Sequence, residues 1–271
     1  MSALEFTILG CGSSGGSPRA DGNWGACDPS EPKNLRTRCS LLVRRTGPAE
    51  PGAWTTVLVD TAPDLRLQTA AAGVKRVDAV LFTHDHADQT HGIDDLRAFY
   101  LRHGVRIPCH MDEATSLQLH ARFGYVFRSQ GGYPAICEAV DLPAYGRPFA
   151  IDGPSGSIPV VGFDQDHGEI RSVGFRFGDV AYSSDVVGFP EASFEALKGL
   201  DTWIVDALRD TPHPTHAHVA MTLEWIARVK PRRAILTNLH IDLDYATLRR
   251  RLPPGVEPAY DQMRFVVEAP G

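Results

Sequence analysis

The chain alternates short apolar runs with stretches of helical spacing, which predicts an α/β fold. The runs typical of strands are 5–9, 39–44, 56–60, 79–82, 106–111, 160–163, 172–177, 180–183, 202–205 and 233–236. Apolar positions at helical spacing predict helices over 62–72, 95–103, 115–127, 191–200 and 219–230. No repeat, low-complexity run or internal boundary interrupts this order, so we expect a single domain over residues 1–271.

Two stretches between these elements are rich in glycine and proline, which disfavour regular structure. The segment 47–52 contains two of each and predicts a loop that joins the second and third strands. The segment 128–158 also carries Tyr133 and Tyr145. Long loops of this composition are often functional, so we interpret 128–158 as a substrate loop.

Composition narrows the class of protein. The hydrophobic share of 43% and the charged share of 22% are ordinary for a globular protein. The net charge of −6 argues against a general binder of nucleic acids or membrane surfaces, because an acidic surface repels phosphate polymers. Five scattered cysteines without a Cys-x-x-Cys pair fit a reducing compartment. No signal segment or membrane span is recognisable, so we expect a cytoplasmic location.

Side chains that commonly bind metals follow one of the predicted strands. His84, His86 and Asp88 come directly after the apolar run 79–82, and helical spacing begins just beyond them. Imidazole and carboxylate groups are the donors that a divalent metal of borderline softness prefers. A turn between a rigid strand and a helix can direct alternate side chains at one point. The spacing therefore predicts a metal site, and a solvated polar turn is the alternative.

This pattern resembles the His-x-His-x-Asp-His signature of the metallo-β-lactamase superfamily, with Gln89 in place of the last histidine. Other landmarks of that superfamily are matched, in the same order, by His167, Asp185, His216 and His240. The Gly- and Ser-rich loop 10–18 adds a likeness to its phosphoribosyl cyclic phosphate phosphodiesterase branch. The resemblance spans essentially the whole chain and implies a four-layer αββα sandwich.

The resemblance also implies two divalent metal ions, Zn²⁺ or Mn²⁺, that share one hydroxide. The implied ligands are His84, His86 and His167 for the first ion, Asp88, Gln89 and His240 for the second, and Asp185 for both. Two such ions suit phosphodiester hydrolysis, because they activate water and offset the charge that builds on the phosphoryl oxygens. Asp88 would in addition orient the attacking water.

Further residues have implied roles beside the metals. His216 would act as the general acid on the leaving group. His218 is the next candidate for that role, and a simple polar helix start is the alternative for both. Asp60 and Asp206 end predicted strands and would support metal-bound histidines. For Asp60 a plain turn or helix cap is the alternative.

Gln89 is the departure from the signature. Its amide oxygen is neutral and harder than an imidazole nitrogen, so the second ion should bind more weakly than in relatives, or favour Mn²⁺ over Zn²⁺. His91 is a poor substitute, because two residues along a helix turn a side chain to another face.

The predicted function is hydrolysis of a small cyclic or nucleotide-like phosphodiester. A lactone or thioester hydrolase of the same fold is the alternative among enzymes, and a metal-binding module without catalysis is the alternative outside them. The loop 10–18 either forms a phosphate cradle or packs under the metal site, and it lacks the Gly-Lys-Ser/Thr ending of a P-loop. We expect a small-molecule partner, no long nucleic acid and no membrane. The sequence leaves open whether the chain forms a homodimer.

Overall fold

A computed structural model describes residues 2–47 and 53–269 of the chain. Most of the loop predicted at 47–52 thus lies outside the described residues. Strands β1 to β7 are Ala3–Gly10, Ser40–Thr46, Trp54–Val59, Ala79–Leu81, Ile107–Met111, Cys137–Asp141 and Pro148–Ile151. Strands β8 to β14 are Ile158–His167, Ile170–Phe177, Val180–Ser183, Thr202–Asp206, Arg233–Thr237, Val256–Pro258 and Met263–Glu268. Helices α1 to α7 are Leu65–Ala71, Ala87–Thr90, Arg97–His103, Glu113–Phe127, Glu191–Ala196, Val219–Val229 and Tyr245–Arg251.

The strands form two mixed sheets of seven strands each. The order in the first is β14-β1-β2-β3-β4-β5-β6, and in the second it is β13-β12-β11-β10-β9-β8-β7. The last strand of the chain returns to the first sheet, where Phe265 pairs with Phe6 of β1. Strands β10 to β13 run parallel to one another, and so do strands β3 to β6.

Three apolar clusters show how these sheets and the helices are layered. One lies between the sheets and joins residues such as Phe6 and Val43 of the first to Phe175 and Ile204 of the second. A second packs α1 and α4 on the outer face of the first sheet. A third packs α6 and α7 on the outer face of the second sheet, around Trp203. The order helix, sheet, sheet, helix confirms the four-layer αββα sandwich.

The central strands agree closely with the sequence prediction, because strands covered on both faces are nearly continuous apolar runs. The interpretation of 128–158 as an irregular loop is wrong in part, since it contains β6 and β7. Both are edge strands with partly exposed residues, so they lack the apolar run that marks a buried strand. The helix predicted over 95–103 begins as a 3₁₀ turn, Ile93–Leu96, and continues as α3.

The carboxyl ends of several strands meet at one edge of the sandwich. His84 follows β4, His167 ends β8, Asp185 follows β10, Asp206 ends β11 and His240 follows β12. In open α/β sheets this edge is the usual place for ligands. Among the described residues, no helix combines the length and the hydropathy needed to cross a bilayer.

Candidate metal centre

Three imidazoles form a compact cluster at this edge. One ligand nitrogen each from His84, His86 and His167 lies within 4.8 Å of the other two. The Nδ1 of His86 is 3.3 Å from the Nε2 of His167. His84 and His167 are buried, whereas His86 is exposed, so the cluster opens to solvent on one side. Three imidazoles around a common point are a typical donor set for a divalent metal.

His84 is held by a chain of hydrogen bonds from the end of β3. The Asp60 carboxylate accepts from the Thr83 backbone N–H at 2.8 Å and from the Thr83 hydroxyl at 2.9 Å. The Thr83 hydroxyl oxygen lies 2.9 Å from the Nδ1 of His84 and accepts a hydrogen bond from its N–H. The Nε2 of His84 then carries a lone pair, and this buried atom has no hydrogen-bond partner within the described chain. An orphaned imidazole nitrogen that faces two others fits a metal ligand.

The electrostatics of the cluster favour the form of His84 that binds metal. Burial and the neighbouring imidazoles of His167 and His86 lower the pKa of His84 well below its usual value. The ring is therefore neutral near pH 7, as a metal ligand must be. Burial raises the pKa of Asp60, and the two hydrogen bonds from Thr83 act in the opposite direction. A cation held by His84 would act in the same direction as those bonds.

A second cluster shares His167 with the first. Ligand atoms of His167, Asp185 and His216 lie within 4.8 Å of one another. The Asp185 Oδ1 is 4.0 Å from the Nε2 of His167 and 3.9 Å from the Nδ1 of His216. Its Oδ2 accepts from the Gln89 side-chain amide at 3.0 Å. Asp185 thus lies between the imidazole cluster and His216.

His216 is oriented by Asp206 at the end of β11. The Nδ1–H of His216 donates to the Asp206 Oδ2 at 2.9 Å, and the same oxygen accepts from the Val186 backbone N–H. The Asn238 amide lies 3.3 Å from that oxygen. Burial alone would lower the pKa of His216, but the carboxylates of Asp206, Asp185 and Asp88 outweigh it and raise the pKa to about 9. His216 is therefore able to hold and donate a proton near neutral pH.

Backbone strain is concentrated at this edge of the sheets. Asp60, Asp185 and Asn238 follow β3, β10 and β12 with φ angles of 62°, 54° and 60°. Few residues other than glycine adopt these angles, which usually cost free energy and occur where function fixes a side chain. The three side chains all contact residues of the two clusters or their supports.

The residues expected to bind a second ion are less completely assembled. Within the described ranges, Asp88 and His240 belong to neither cluster of close ligand atoms. Gln89 is buried and directs its amide N–H₂ at Asp185, and its Oε1 has no partner in the described chain. The Nδ1 of His240 lies 2.9 Å from an Asp242 carboxylate oxygen, and its Nε2 accepts a hydrogen bond from the Arg19 guanidinium. The Nε2 of His240 is thus already bound to Arg19.

Several residues of the site are not among those predicted from the sequence. Thr83 immediately precedes His84 and could have been suggested by position alone, because a metal-bound imidazole needs an outer partner. Asn238 and Arg19 carry no such signal, since their contacts join remote parts of the chain. His218 is the N-cap residue of α6, and it belongs to neither cluster among the described residues. His91 packs against Phe123, away from the clusters.

Comparisons with known proteins agree with this fold. Residues 55–241 match the family described as the Beta-lactamase superfamily domain. A crystal structure of a new diphosphatase from the PhnP family is 32% identical, covers 98% of both chains and superposes with a TM-score of 0.86. Zinc-bound PqqB from Methylobacterium extorquens is 18% identical, covers 96% of this chain and 99% of its own, and has a TM-score of 0.68.

One curated relative has a name that indicates a different activity from that of the diphosphatase. An octanoyltransferase from Porphyromonas gingivalis is 27% identical over 99% of this chain. This chain spans about half of that relative, 52% of its length, so the name describes a protein with much additional sequence. The family match covers most of the present chain, and its histidine and aspartate clusters have the chemistry to hold a divalent metal. The chain belongs to the metallo-β-lactamase superfamily, whose fold supports a metal-dependent hydrolase.

Proposed function

We propose that this protein hydrolyses a phosphoryl ester or anhydride bond in a small substrate, as a metal-dependent phosphodiesterase. The observation that carries the proposal is the proximity of a metal-binding imidazole cluster to a proton-donating histidine. Asp185 lies 4.0 Å from His167 on one side and 3.9 Å from His216 on the other. A substrate at the cluster would therefore meet both a metal and a general acid.

His84, His86 and His167 would hold one divalent cation, Zn²⁺ or Mn²⁺. Asp185 would contact this cation and a second one, for which Asp88, His240 and Gln89 are the remaining candidates. When bound, such cations lower the pKa of water and offset charge on phosphoryl oxygens. Gln89 contributes a neutral oxygen where imidazole is expected, so the second cation should be the more easily lost.

The chain's own groups supply positioning and a proton. His216 would donate its proton to the leaving oxygen, while Asp206 holds its ring through Nδ1. The Asp60–Thr83 pair fixes the ring of His84. Asp88 is half-buried, and burial together with Asp185 raises its pKa. Its carboxyl oxygen would orient the attacking water.

The comparisons support a phosphoryl substrate over the alternatives. The relative that shares 32% of its sequence with this chain is described as a diphosphatase. The PqqB structure contains zinc, which supports zinc as one candidate metal. The octanoyltransferase name points towards acyl chemistry, but it belongs to a protein about twice as long. The net charge of −6 supports a small substrate rather than a long nucleic acid.

The test compares substrates that do and do not need a general acid. Protein reconstituted with Zn²⁺ or Mn²⁺ is assayed on 3′,5′-cyclic AMP and bis(p-nitrophenyl) phosphate, and on a lactone and thioester panel. We expect metal-dependent turnover of a phosphoryl substrate, and His216→Ala should lower turnover of the cyclic nucleotide by roughly 10²–10⁴-fold. His103→Ala serves as the control, because His103 is exposed and lies on α3.

Two outcomes would reject the proposal. Faster turnover of lactones or thioesters, insensitive to His216→Ala, would indicate the acyl hydrolase. Tight metal binding without turnover of any substrate in the panel would indicate a binding module.

A further inference from the structure

An open cleft of about 650 Å³ adjoins the candidate metal centre at Asp88. Its lining includes Ser14 and Gly15 of the loop 10–18, together with Arg19, Asp21 and Arg38. Clefts of this volume accommodate small organic ligands. The cleft shares Asp88 with the candidate centre, and Arg19 contacts His240, so a substrate bound at the metals would extend into it.

The two arginines present donors that the protein uses only in part. Asp64 accepts from the Nε of Arg38 at 3.0 Å and from its backbone N–H at 2.9 Å. This contact orients the guanidinium and leaves its two terminal nitrogens for a ligand, since a guanidinium has five N–H donors. Arg19 uses one terminal nitrogen on the Nε2 of His240. If a metal takes that imidazole nitrogen, the arginine donor becomes available.

The loop 10–18 adds backbone hydrogen-bond donors to the lining of the cleft. Gly16 donates to the carbonyl of Ser13, which turns the chain at Ser14 and Gly15. The N–H groups of Ser14 and Gly15 have no hydrogen-bond partner in the part of the chain that the structure describes. Consecutive free N–H groups in a turn bind anions.

The acidic residues of the cleft define where an anion can lie. Asp21 lines it but uses its Oδ1 to accept from the Asn23 backbone N–H at 3.0 Å. Asp88 lies at the metal side and is a candidate ligand there. Arg19 and Arg38 are therefore the cationic groups of the lining, beside the free N–H groups of the loop, whereas Asp21 keeps its negative charge elsewhere in the lining.

We propose, on the basis of the proposed function, that this cleft binds a second phosphoryl group, the one that does not react. The preferred substrate class is then a diphosphate diester, with one phosphoryl group at the metals and its neighbour between Arg19, Arg38 and the loop. Guanidinium groups and backbone N–H groups together match the oxygens of a phosphoryl group. A phosphodiester with a single phosphoryl group would leave these donors unused.

The experiment removes the arginines and compares two substrates on the metal-loaded protein. The substrates are ADP-ribose, which has two phosphoryl groups, and bis(p-nitrophenyl) phosphate, which has one. Arg38→Ala should lower kcat/KM for ADP-ribose by roughly 10–100-fold, mainly through KM, because charge-assisted hydrogen bonds are lost. The loss for bis(p-nitrophenyl) phosphate should stay below about threefold. Arg38→Lys keeps the charge and should recover part of the loss.

Arg250→Ala is the matched control, since it removes an exposed arginine that donates to Thr247 on α7. Thermal unfolding checks that each variant is folded. Equal losses for both substrates, or a loss for ADP-ribose no greater than in Arg250→Ala, would overturn the inference.

A binding measurement separates this inference from the proposed function. If the unchanged protein turns over neither substrate, the proposed function fails, and calorimetry with α,β-methylene-ADP decides about the cleft alone. Binding that is at least tenfold weaker in Arg38→Ala supports a phosphoryl site. Equal affinity in both proteins, or no binding to the unchanged protein, rejects it.

Discussion

The two candidate cation positions differ in how the protein holds them. The imidazoles of the first come from residues at or beside the ends of β4 and β8, and their nitrogens already lie within 4.8 Å. The candidates for the second include His240, which lies in the loop after β12 and is bound to Arg19. Strand ends fix the direction of a side chain more firmly than loops do. The first position is thus preorganised, whereas the second must exchange a protein contact for a metal.

The largest expected effect follows from removing the residue that both clusters share. His167→Ala takes one imidazole from each cluster. Loss of a residue that only hydrogen-bonds to a metal ligand lowers metal affinity by roughly 10–100-fold. We expect a larger loss of affinity when the ligand itself is removed, so the dialysed variant should retain little metal. Turnover should fall in parallel. Elemental analysis of the dialysed protein measures this, with His120→Ala on α4 as the control. Unchanged metal content would show that the imidazole cluster is not the metal site.

The next largest effect concerns proton donation by His216 rather than metal binding. Asp206→Asn keeps the shape of the side chain but removes the charge that holds the proton on His216. We expect kcat to fall by roughly 10–100-fold for an alkoxide leaving group, as in cyclic AMP, because general acid catalysis is weakened. The p-nitrophenolate of bis(p-nitrophenyl) phosphate leaves without help, so its rate should change little.

Asp201→Asn is the control for this change, because Asp201 precedes the same strand and pairs with the exposed Arg232. Equal losses for the two leaving groups would contradict the role of His216 as a general acid.

A gain of metal at the second position should follow from Gln89→His. The imidazole would replace an amide that now donates to Asp185, and it is the stronger ligand for Zn²⁺. We expect the zinc retained per chain after dialysis to rise from about one towards two equivalents, since the first position is already complete. Gln89→Met, which removes the amide without adding imidazole, should give no rise. A rise in both variants would assign the effect to loss of the amide.

The contrast between buried strands and the loops that follow them also explains how much of the fold and the candidate site the sequence predicts. The central strands are confirmed because burial on both faces produces apolar runs such as Val57–Val59. The exposed edge strand β6 and the short β13 lack that signal. Residues of the candidate site that follow a strand can be suggested from position. The contact between Arg19 and His240 depends on tertiary packing of distant loops, which no local pattern records.

The smallest expected effect concerns the loop between β12 and α7, which contains His240 of the second candidate cation position. Asp244 is the N-cap residue of α7, four residues after His240, and its carboxylate accepts from the Thr247 backbone N–H and the Asn34 side chain. Burial alone would raise its pKa, but these hydrogen bonds outweigh it and lower the pKa to about 2. Asp244→Ala should lower the free energy of unfolding by about 1 kcal/mol, as is usual for a lost helix cap.

The pH dependence of this loss has a definite sign. The folded pKa of Asp244, about 2, is below its ordinary value of 3.8, so its stabilisation is present above pH 3.8 and disappears as the pH falls towards 2. Denaturant unfolding at pH 6 and at pH 2.5 measures the difference.

Asp112→Ala removes the corresponding cap of α4 on the other side of the sandwich. If loops hold the second position, only Asp244→Ala should also weaken retention of a second metal in the Gln89→His background. Equal metal retention in the two cap variants would mean that the second position does not depend on this loop.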